Sequence, residues 1–585
     1  MRILLPVCVV AASVLVACGA PPPNPVPFDW KSDWAVESGF SIAPDSTGYS
    51  FPTAIAFVPN PGPAPKDPLY FVTEIQGAVK VVTNDRSVYT FASGFEHMGV
   101  KAVLPDSKAE LGTAGICLEP KHGYVFVTFL SQEITGGIYR NNILRFETKP
   151  GTFSIQPIGS KRITDPFAAD RLSPTGHQIG PCAVDGDFLF AGIGDAVQAA
   201  QAQKPDTLVG KIVRMTLDGL PARGNPFYQD DDPKKPQNYI WASGFRNPFG
   251  LKGVEGRVFV ADDGEDIDRF VEIEKGKNYL WDGEDWSIAT NANFIFSPSV
   301  GVVQMDYLPG GNAGFPSAFD EHFFVAASSH DFGKKPGIVI LPFDLSNGEL
   351  KSTPQFFVQY RGSEPQAVTG LALGPDGLYF APVLADEYGT SAILKIAYDP
   401  QHPHPFTVES DLDAASLMFA KGCFGCHSFK NSSSGEGPNL DGAALIPRLE
   451  SRLQSDSYRQ SVKALDLLDE EPFRSFRSAR QQVLGTPGLD QVHVWIKYHL
   501  IEPRFDNQYA QMPKPDLTDA EITRIDDFLL QDYRESTGLV ALWWQGIVPA
   551  LNAHLVLYGL GSFLVGGVMF ALANWGLGRI RSRQR

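Results

Sequence analysis

Cysteine is scarce in this chain. Six in 585 residues are too few and too scattered for a zinc-cluster or disulfide-dense scaffold. Positive charge is also short. Lys and Arg number 49 against 66 Asp and Glu, a net charge of −17, so no nucleic-acid partner is expected. Low-complexity tracts are missing, and 43% hydrophobic with 20% charged residues excludes global disorder. What the chain has in excess is Gly, 56 residues, and Pro, 46. That composition argues against a coiled coil or helical solenoid and suits a turn-rich β fold. The length exceeds the usual domain of about 100–150 residues several times, although a large β-propeller absorbs several hundred.

Long uncharged runs occur only at the two ends. Residues 1–17 begin Met1-Arg2, continue with an apolar run from Ile3 to Val16, and end in Ala17-Cys18-Gly19. The pattern is that of a secretory signal, and small residues before a Cys resemble the bacterial lipoprotein cleavage box, with Cys18 as the lipidated new N-terminus. Residues 18–30, with Pro21, Pro22, Pro23, Pro25 and Pro27, form a stiff spacer. At the other end, after a juxtamembrane segment at 534–554, Leu555 to Leu577 carry no charge and are long enough to span a bilayer as a helix. Arg579, Arg581, Arg583 and Arg585 follow in the tail 578–585, which the positive-inside rule puts in the cytoplasm. Both ends therefore predict a body anchored in lipid on the outer, oxidising side of a bacterial cell envelope.

Between about 31 and 400 one phrase recurs: an apolar strand, a Pro/Gly/Asp turn, a second apolar strand. It appears at 54–74, 114–129, 179–195, 250–264 and 370–383. Repetition of Val-, Phe-, Tyr- and Ile-rich runs at this spacing predicts a β-propeller, without fixing the number of blades.

From about 408 to 533 the pattern turns helical. Residues 517–533 have apolar residues at helical spacing, and Thr518 with Glu521 reads as a capping box. Cys423-Phe424-Gly425-Cys426-His427 fits C-x-x-C-H: two thiols placed for thioethers to haem, and an adjacent His for one axial face of the iron. With the short helix before it and Gly437-Pro438-Asn439-Leu440 after it, the segment resembles an all-α class I cytochrome c. That resemblance implies covalent haem c and places the sixth iron ligand at Met512, just before the terminal helix. His493 and His499 are the alternatives. The acid run Asp466, Asp469, Glu470 and Glu471 reads as a solvated face.

The propeller phrases, taken together, resemble the glucose/sorbosone dehydrogenase family. The resemblance rests on GHQIGPCAVDGDFLFAGIGD, LVGKIVRMTLDG with Asn225-Pro226-Phe227, WASGFRNPFGL, DDGEDIDRFVEIEKGKNYLW, FVAASSHDFGKKPGIVILPFD and GLALGPDGLY, in that order. It implies six blades, pyrroloquinoline quinone (PQQ) and Ca²⁺ as cofactors, and a sugar-like substrate. It matches His177 to the catalytic base, Arg246 and Asn247 to the pair holding the quinone, Asp263, Gly264 and Glu265 to the calcium loop, and Glu110 to a residue facing the cofactor. One departure stands out. The Arg-rich stretch that clamps the quinone in the family is here reduced to Arg361; Lys334 and Lys335 either supply the lost charge or belong to a surface loop.

Cys8 leaves with the signal, Cys18 takes lipid, and Cys423 with Cys426 take haem. Cys117 and Cys182 remain, in equivalent phrases of consecutive repeats. They are expected either as a disulfide between neighbouring blades or as two buried thiols. The expected function is a membrane-anchored quinohaemoprotein dehydrogenase that oxidises a sugar or related alcohol or aldehyde and passes electrons through the haem to a respiratory acceptor. The alternative is a propeller without catalysis that carries an electron-transfer cytochrome; a third reading is a ligand-binding propeller whose haem senses redox state.

Overall fold

Five sequence phrases with Pro/Gly/Asp connections become five pairs of inner strands, and a sixth pair lacks the phrase. The computed structural model describes residues 32–102, 112–168, 172–173, 176–265, 267–296, 299–310, 314–328, 336–352, 354–384, 391–408, 414–421, 423–429, 437–510, 512–515 and 517–544. Six antiparallel sheets follow one another along the chain. Their innermost strands are Pro52–Phe57, Thr113–Glu119, Ile179–Asp185, Pro248–Val254, Val302–Leu308 and Val368–Gly374. This is a six-bladed β-propeller. Blade 5 escapes the repeat: a connection that contains its own 3-10 turn, Ser317–Phe319, joins its first two strands, Val302–Leu308 and His322–Ala327.

The N-terminal strands close the ring. Phe40–Tyr49 pairs with Ser391–Tyr398 as the outermost strand of blade 6, and Trp34–Val36 pairs with Gln355–Tyr360 on blade 5. Between blades the faces are aromatic. Phe259 of blade 4 meets Phe323 of blade 5 at 4.7 Å between ring centroids, and such pairs add about 0.5–1.5 kcal/mol beyond their buried area.

Every innermost strand is bulged near its start, at Pro52/Ala54, Thr113/Gly115, Ile179/Cys182, Pro248/Gly250, Val302/Met305 and Val368/Gly370. The bulges form a waist in the central channel, where neighbouring strands come so close that a Cβ on Gly115 would collide with the Gly180 carbonyl. Gln304 reaches across this waist. Its Oε1 accepts from the backbone N–H of Ile55 and of Leu371, both at 3.0 Å, and its Nε2 donates to Ile55 O at 2.7 Å.

The helical unit comprises α1 (Ala414–Ala420), α2 (Gly442–Gln454), α3 (Asp456–Leu465), α4 (Arg477–Gly485), α5 (Gly488–Ile501) and α6 (Asp519–Trp544). The capping box forms: Thr518 N–H donates to Glu521 Oε2 at 2.8 Å, and Glu521 N–H donates to Thr518 Oγ1 at 3.3 Å. The helix it starts runs past the expected end at 533 to Trp544. The acid run lies beside arginines: Asp466 with Arg480, Asp469 with Arg477, Glu471 with Arg474. Among the described residues no helix is long and apolar enough to cross a membrane. Cys18 and the run 555–577 lie outside the described residues, as does Glu110.

Candidate functional site

At one mouth of the channel, blades 3 and 4 bring together residues far apart in sequence. His177 precedes the inner strand of blade 3 with φ 57°, a left-handed conformation that only tight surroundings hold for a non-glycine residue. Its Nδ1 donates to Asp195 Oδ1 at 2.8 Å. Asp195, almost fully buried at the end of the next strand, also accepts from Trp281 Nε1 at 2.8 Å and from Val197 N–H at 2.9 Å. Its own N–H donates to Arg246 O at 2.7 Å, which links the His177 pair to the Arg246-Asn247 turn. A carboxylate bonded to Nδ1 fixes the tautomer, so Nε2 is the basic nitrogen of the neutral ring, and it stabilises the imidazolium when that nitrogen takes a proton.

Arg246 and Asn247 converge on Asp263. Arg246 Nη1 donates to the Asp263 carbonyl at 2.8 Å and to its carboxylate at 3.2 Å, and Asn247 Nδ2 reaches the same carboxylate at 3.4 Å. Beneath them Asp262 accepts from Asn247 N–H at 2.8 Å and pairs with Arg269 at 2.6 Å, both side chains fully buried. Burial pushes the Asp262 carboxyl up, against the pull of Arg269. Asp268 accepts from Gly264 N–H, from the Ser299 hydroxyl and from the N–H groups of Val300 and Gly301. Gly264 and Glu265 continue the same loop.

Asp195, Trp281, Asp262 and Arg269 went unassigned in the sequence. Asp195 ends the AGIGD phrase and Asp262 opens DDG, so acidic residues at strand ends beside a chemistry-bearing phrase were the available signal. Arg361 is elsewhere: its guanidinium stacks on Phe406 at 3.5 Å and its N–H donates to Asp33 O. Lys334 and Lys335 lie outside the described residues.

A mostly apolar cavity of about 260 Å³ sits above the waist, lined by Thr53, Gly115, Gln178, Phe249 and Gln304 among others. Cys117 and Cys182 are bonded to each other, their Cα atoms 5.7 Å apart, and tie the inner strands of blades 2 and 3. Two hydrogen bonds reinforce that seam: Thr128 Oγ1 donates to Gly180 O, and Ile179 N–H to Asn141 Oδ1 at 3.0 Å. The strand that follows His177 is thus held to blade 2.

The second constellation is local. Cys423–Gly425 form a single 3-10 turn, and His427 N–H donates to Cys423 O at 3.0 Å. His427 Nδ1 donates to Pro438 O at 2.9 Å; since a carbonyl only accepts, Nε2 carries the lone pair of the neutral ring. A Cβ on Gly437 would stand 2.6 Å from the His427 ring, so glycine is what lets this loop lie against it. Burial pushes the Cys423 thiol up to about 11, which does not suit a nucleophilic redox thiolate. Of the alternative iron ligands, His493 has its Nδ1 against Asp526. His499 stacks on Trp495 at 4.5 Å, its Nδ1 is buried without a hydrogen-bond partner, and burial pushes its pKa down to about 4, with the nearby His427 contributing. Met512 lies half-buried between α5 and α6. Among the described residues no group of three or more His, Cys, Asp and Glu side chains is placed to hold a metal ion.

Comparison with known proteins bears on the propeller. The family model described as Glucose / Sorbosone dehydrogenase matches residues 50–294, which span blades 1 to 4 and the His177 and Arg246 neighbourhood. Aldose sugar dehydrogenase YliI of Escherichia coli (strain K12) is 33% identical over 122 residues, 20% of this chain and 32% of that protein. HIPL1 protein of Arabidopsis thaliana is 31% identical over 299 residues, 46% of this chain and 35% of that protein. The chain spans about a third of the length of the curated relatives it matches. Among solved structures, a glucose dehydrogenase covers 61% of this chain and 98% of its own at 20% identity and TM-score 0.47. The PQQ-bound Aldose Sugar Dehydrogenase from Streptomyces coelicolor covers 62% and 100% at 22% identity and TM-score 0.44.

Proposed function

Starting from the propeller's similarity to glucose/sorbosone dehydrogenases, we propose that the chain oxidises a sugar or related alcohol or aldehyde and exports the electrons through a covalent haem. The observation that carries this reading is the His177–Asp195–Trp281 constellation beside Arg246 and Asn247. His177 Nε2 takes the proton of the substrate hydroxyl, and Asp195 holds the ring and balances its charge. Arg246 offers a planar cation to a carboxylate of PQQ, in exchange for part of its contact with Asp263. PQQ, when bound, supplies a two-electron acceptor. Calcium at Asp263, Gly264 and Glu265 gains no support from the geometry, because Arg246 and Asn247 already engage the Asp263 carboxylate, and no step is routed through it.

The haem fits the second constellation. Cys423 and Cys426 would carry the thioethers, and His427 and Met512 would bind the iron, with His499 as the rival of Met512. A charge-transfer band in the far red of the ferric protein supports Met512, and its absence supports His499. Cys18 and 555–577 would hold the body on the outer face of the envelope, where a respiratory acceptor takes electrons one at a time. Membrane fractionation with labelled lipid tests both anchors.

A second reading is a non-catalytic propeller scaffold for the cytochrome. The position of Arg361 on Phe406, away from the site, favours it, because the family's cationic clamp is then thin. One experiment separates the two. PQQ, Ca²⁺ and an aldose panel are added to the purified full-length protein while the haem band is followed. Reduction that disappears in His177→Ala supports the dehydrogenase; no reduction with any substrate supports the scaffold.

A further inference from the structure

Among the described residues ten non-glycine positions have positive φ, and four of them gather around Asp195: His177 at 57°, Ala196 at 55°, Val197 at 57° and Leu280 at 63°. Two of the four are also large apolar side chains left in solvent, Val197 at 60% and Leu280 at 48% exposure. A β-branched residue in the left-handed region is strained, and an exposed apolar side chain gains nothing from burial to offset the strain. Neither packing nor backbone preference accounts for them.

Both lie on loops bonded to Asp195, the carboxylate that orients the candidate base. Val197 N–H donates to Asp195 Oδ1 at 2.9 Å, and Val197 Cγ2 lies 3.8 Å from where a Cβ would stand on Gly176, the residue before His177. Leu280 immediately precedes Trp281, whose indole donates to Asp195 Oδ2. Asn278 Oδ1 accepts from Leu280 N–H at 2.9 Å, Asn278 Nδ2 donates to Gln203 Oε1 at 2.6 Å, and Gln203 Nε2 donates to Trp281 O at 2.8 Å. The loops that carry Val197 and Leu280 are therefore bonded to each other and to the carboxylate that orients His177.

We propose that Val197 and Leu280 form an apolar rim beside His177, which selects substrates carrying an aryl or long alkyl group next to the polyol over sugars that carry none or only a methyl. This deepens, and rests on, the assignment of His177 as the base. A bare sugar would cover the rim with hydroxyl groups that lose water and find no donor or acceptor on Val or Leu side chains. An aromatic or alkyl substituent covers the same surface with a hydrophobic gain.

The test is equilibrium binding, read without turnover. Phenyl β-D-glucopyranoside and methyl β-D-glucopyranoside, whose anomeric carbon is capped, are titrated into the full-length protein by calorimetry. The phenyl compound binds at least tenfold more tightly. Val197→Asn and Leu280→Asn each reduce that ratio threefold or more, since Asn tolerates the left-handed backbone and removes the apolar surface; Val197→Ile keeps it. Equal affinities in the wild type, or a ratio unchanged in both Asn variants, overturn the proposal. If either variant fails to fold, the wild-type ratio alone decides. An aryl preference without haem reduction by any alcohol leaves the rim standing and removes the dehydrogenase. Haem reduction by sugars without an aryl preference removes the rim alone.

Discussion

The propeller and the helical unit assemble their chemistry in opposite ways. In the helical unit Cys423, Cys426 and His427 sit on one turn, and a single carbonyl, Pro438 O, orients the imidazole. In the propeller His177, Asp195, Arg246 and Trp281 come from separate loops of two blades and meet through the Asp195 carboxylate and N–H. A local motif tolerates a modest fold around it, since the chain itself supplies the spacing. A distributed site needs rigid walls, and the propeller provides them with its bulged waist, the Gln304 bridge and the Cys117–Cys182 bond.

The contrast predicts that damage stays within its unit. On the proposed haem attachment, Cys426→Ala together with His427→Ala abolishes the haem spectrum, while the β-rich circular dichroism of the propeller stays as it is. If the propeller collapses as well, the two units are one cooperative structure. Next in size, His177→Ala lowers kcat by about 10²–10⁴-fold, the usual contribution of a general base, with the haem spectrum untouched. Asp195→Asn lowers it less and moves the pH profile, because the amide can leave the wrong nitrogen protonated; an unchanged profile would show that Asp195 does not position the ring.

Reduction of Cys117–Cys182 is expected to weaken the propeller and spare the helical unit. The bond spans a sequence separation of 65, for which the chain-entropy model gives about 4 kcal/mol. Calorimetry with and without reductant, with both transitions assigned, checks it. The last effect, of the same order, belongs to the helical unit. Burial pushes the Asp526 carboxyl up to about 7, well above the ordinary carboxyl value near 4 that it regains on unfolding. The raised value means that its protonated form favours the fold. That contribution is complete below about pH 4 and is lost as pH rises through about 7. Urea midpoints between pH 4 and 8 should fall with pH in the wild type and level off in Asp526→Asn.

Legibility follows the same divide. Cys423-Phe424-Gly425-Cys426-His427 stood out as a motif because its residues are contiguous, and the structure puts Cys423–Gly425 on a single 3-10 turn. The capping box at Thr518 and Glu521 was legible for the same reason, though not the length of the helix it starts, since nothing in 534–544 punctuates a helix strongly. Blades 1, 2, 3, 4 and 6 were visible through their Pro/Gly/Asp connections, whereas blade 5 hid behind the connection after Leu308, which contains its own 3-10 turn. His177, Arg246 and Asn247 were singled out only through a resemblance, and Asp195 and Trp281, which the structure brings against them, not at all. Their meaning comes from a meeting in space that no local spacing records. The fate of Cys117 and Cys182 likewise depended on how closely two bulged strands approach, a distance that pattern alone does not set.

The seam of the ring has a consequence for how the molecule is made. Phe40 pairs with Tyr398, and Val36 N–H donates to Phe406 O, so the first strands of the propeller are completed by its last. At about 5–20 residues per second, the roughly 350 residues between them keep the opening strands waiting on the order of 20–70 s during synthesis. Throughout that interval Phe40–Tyr49 is an unpaired edge able to add to a strand of another nascent chain. Phe40–Tyr49 is therefore most open to foreign pairing before Ser391–Tyr398 reaches it, a hazard that the stability of the finished ring does not lessen.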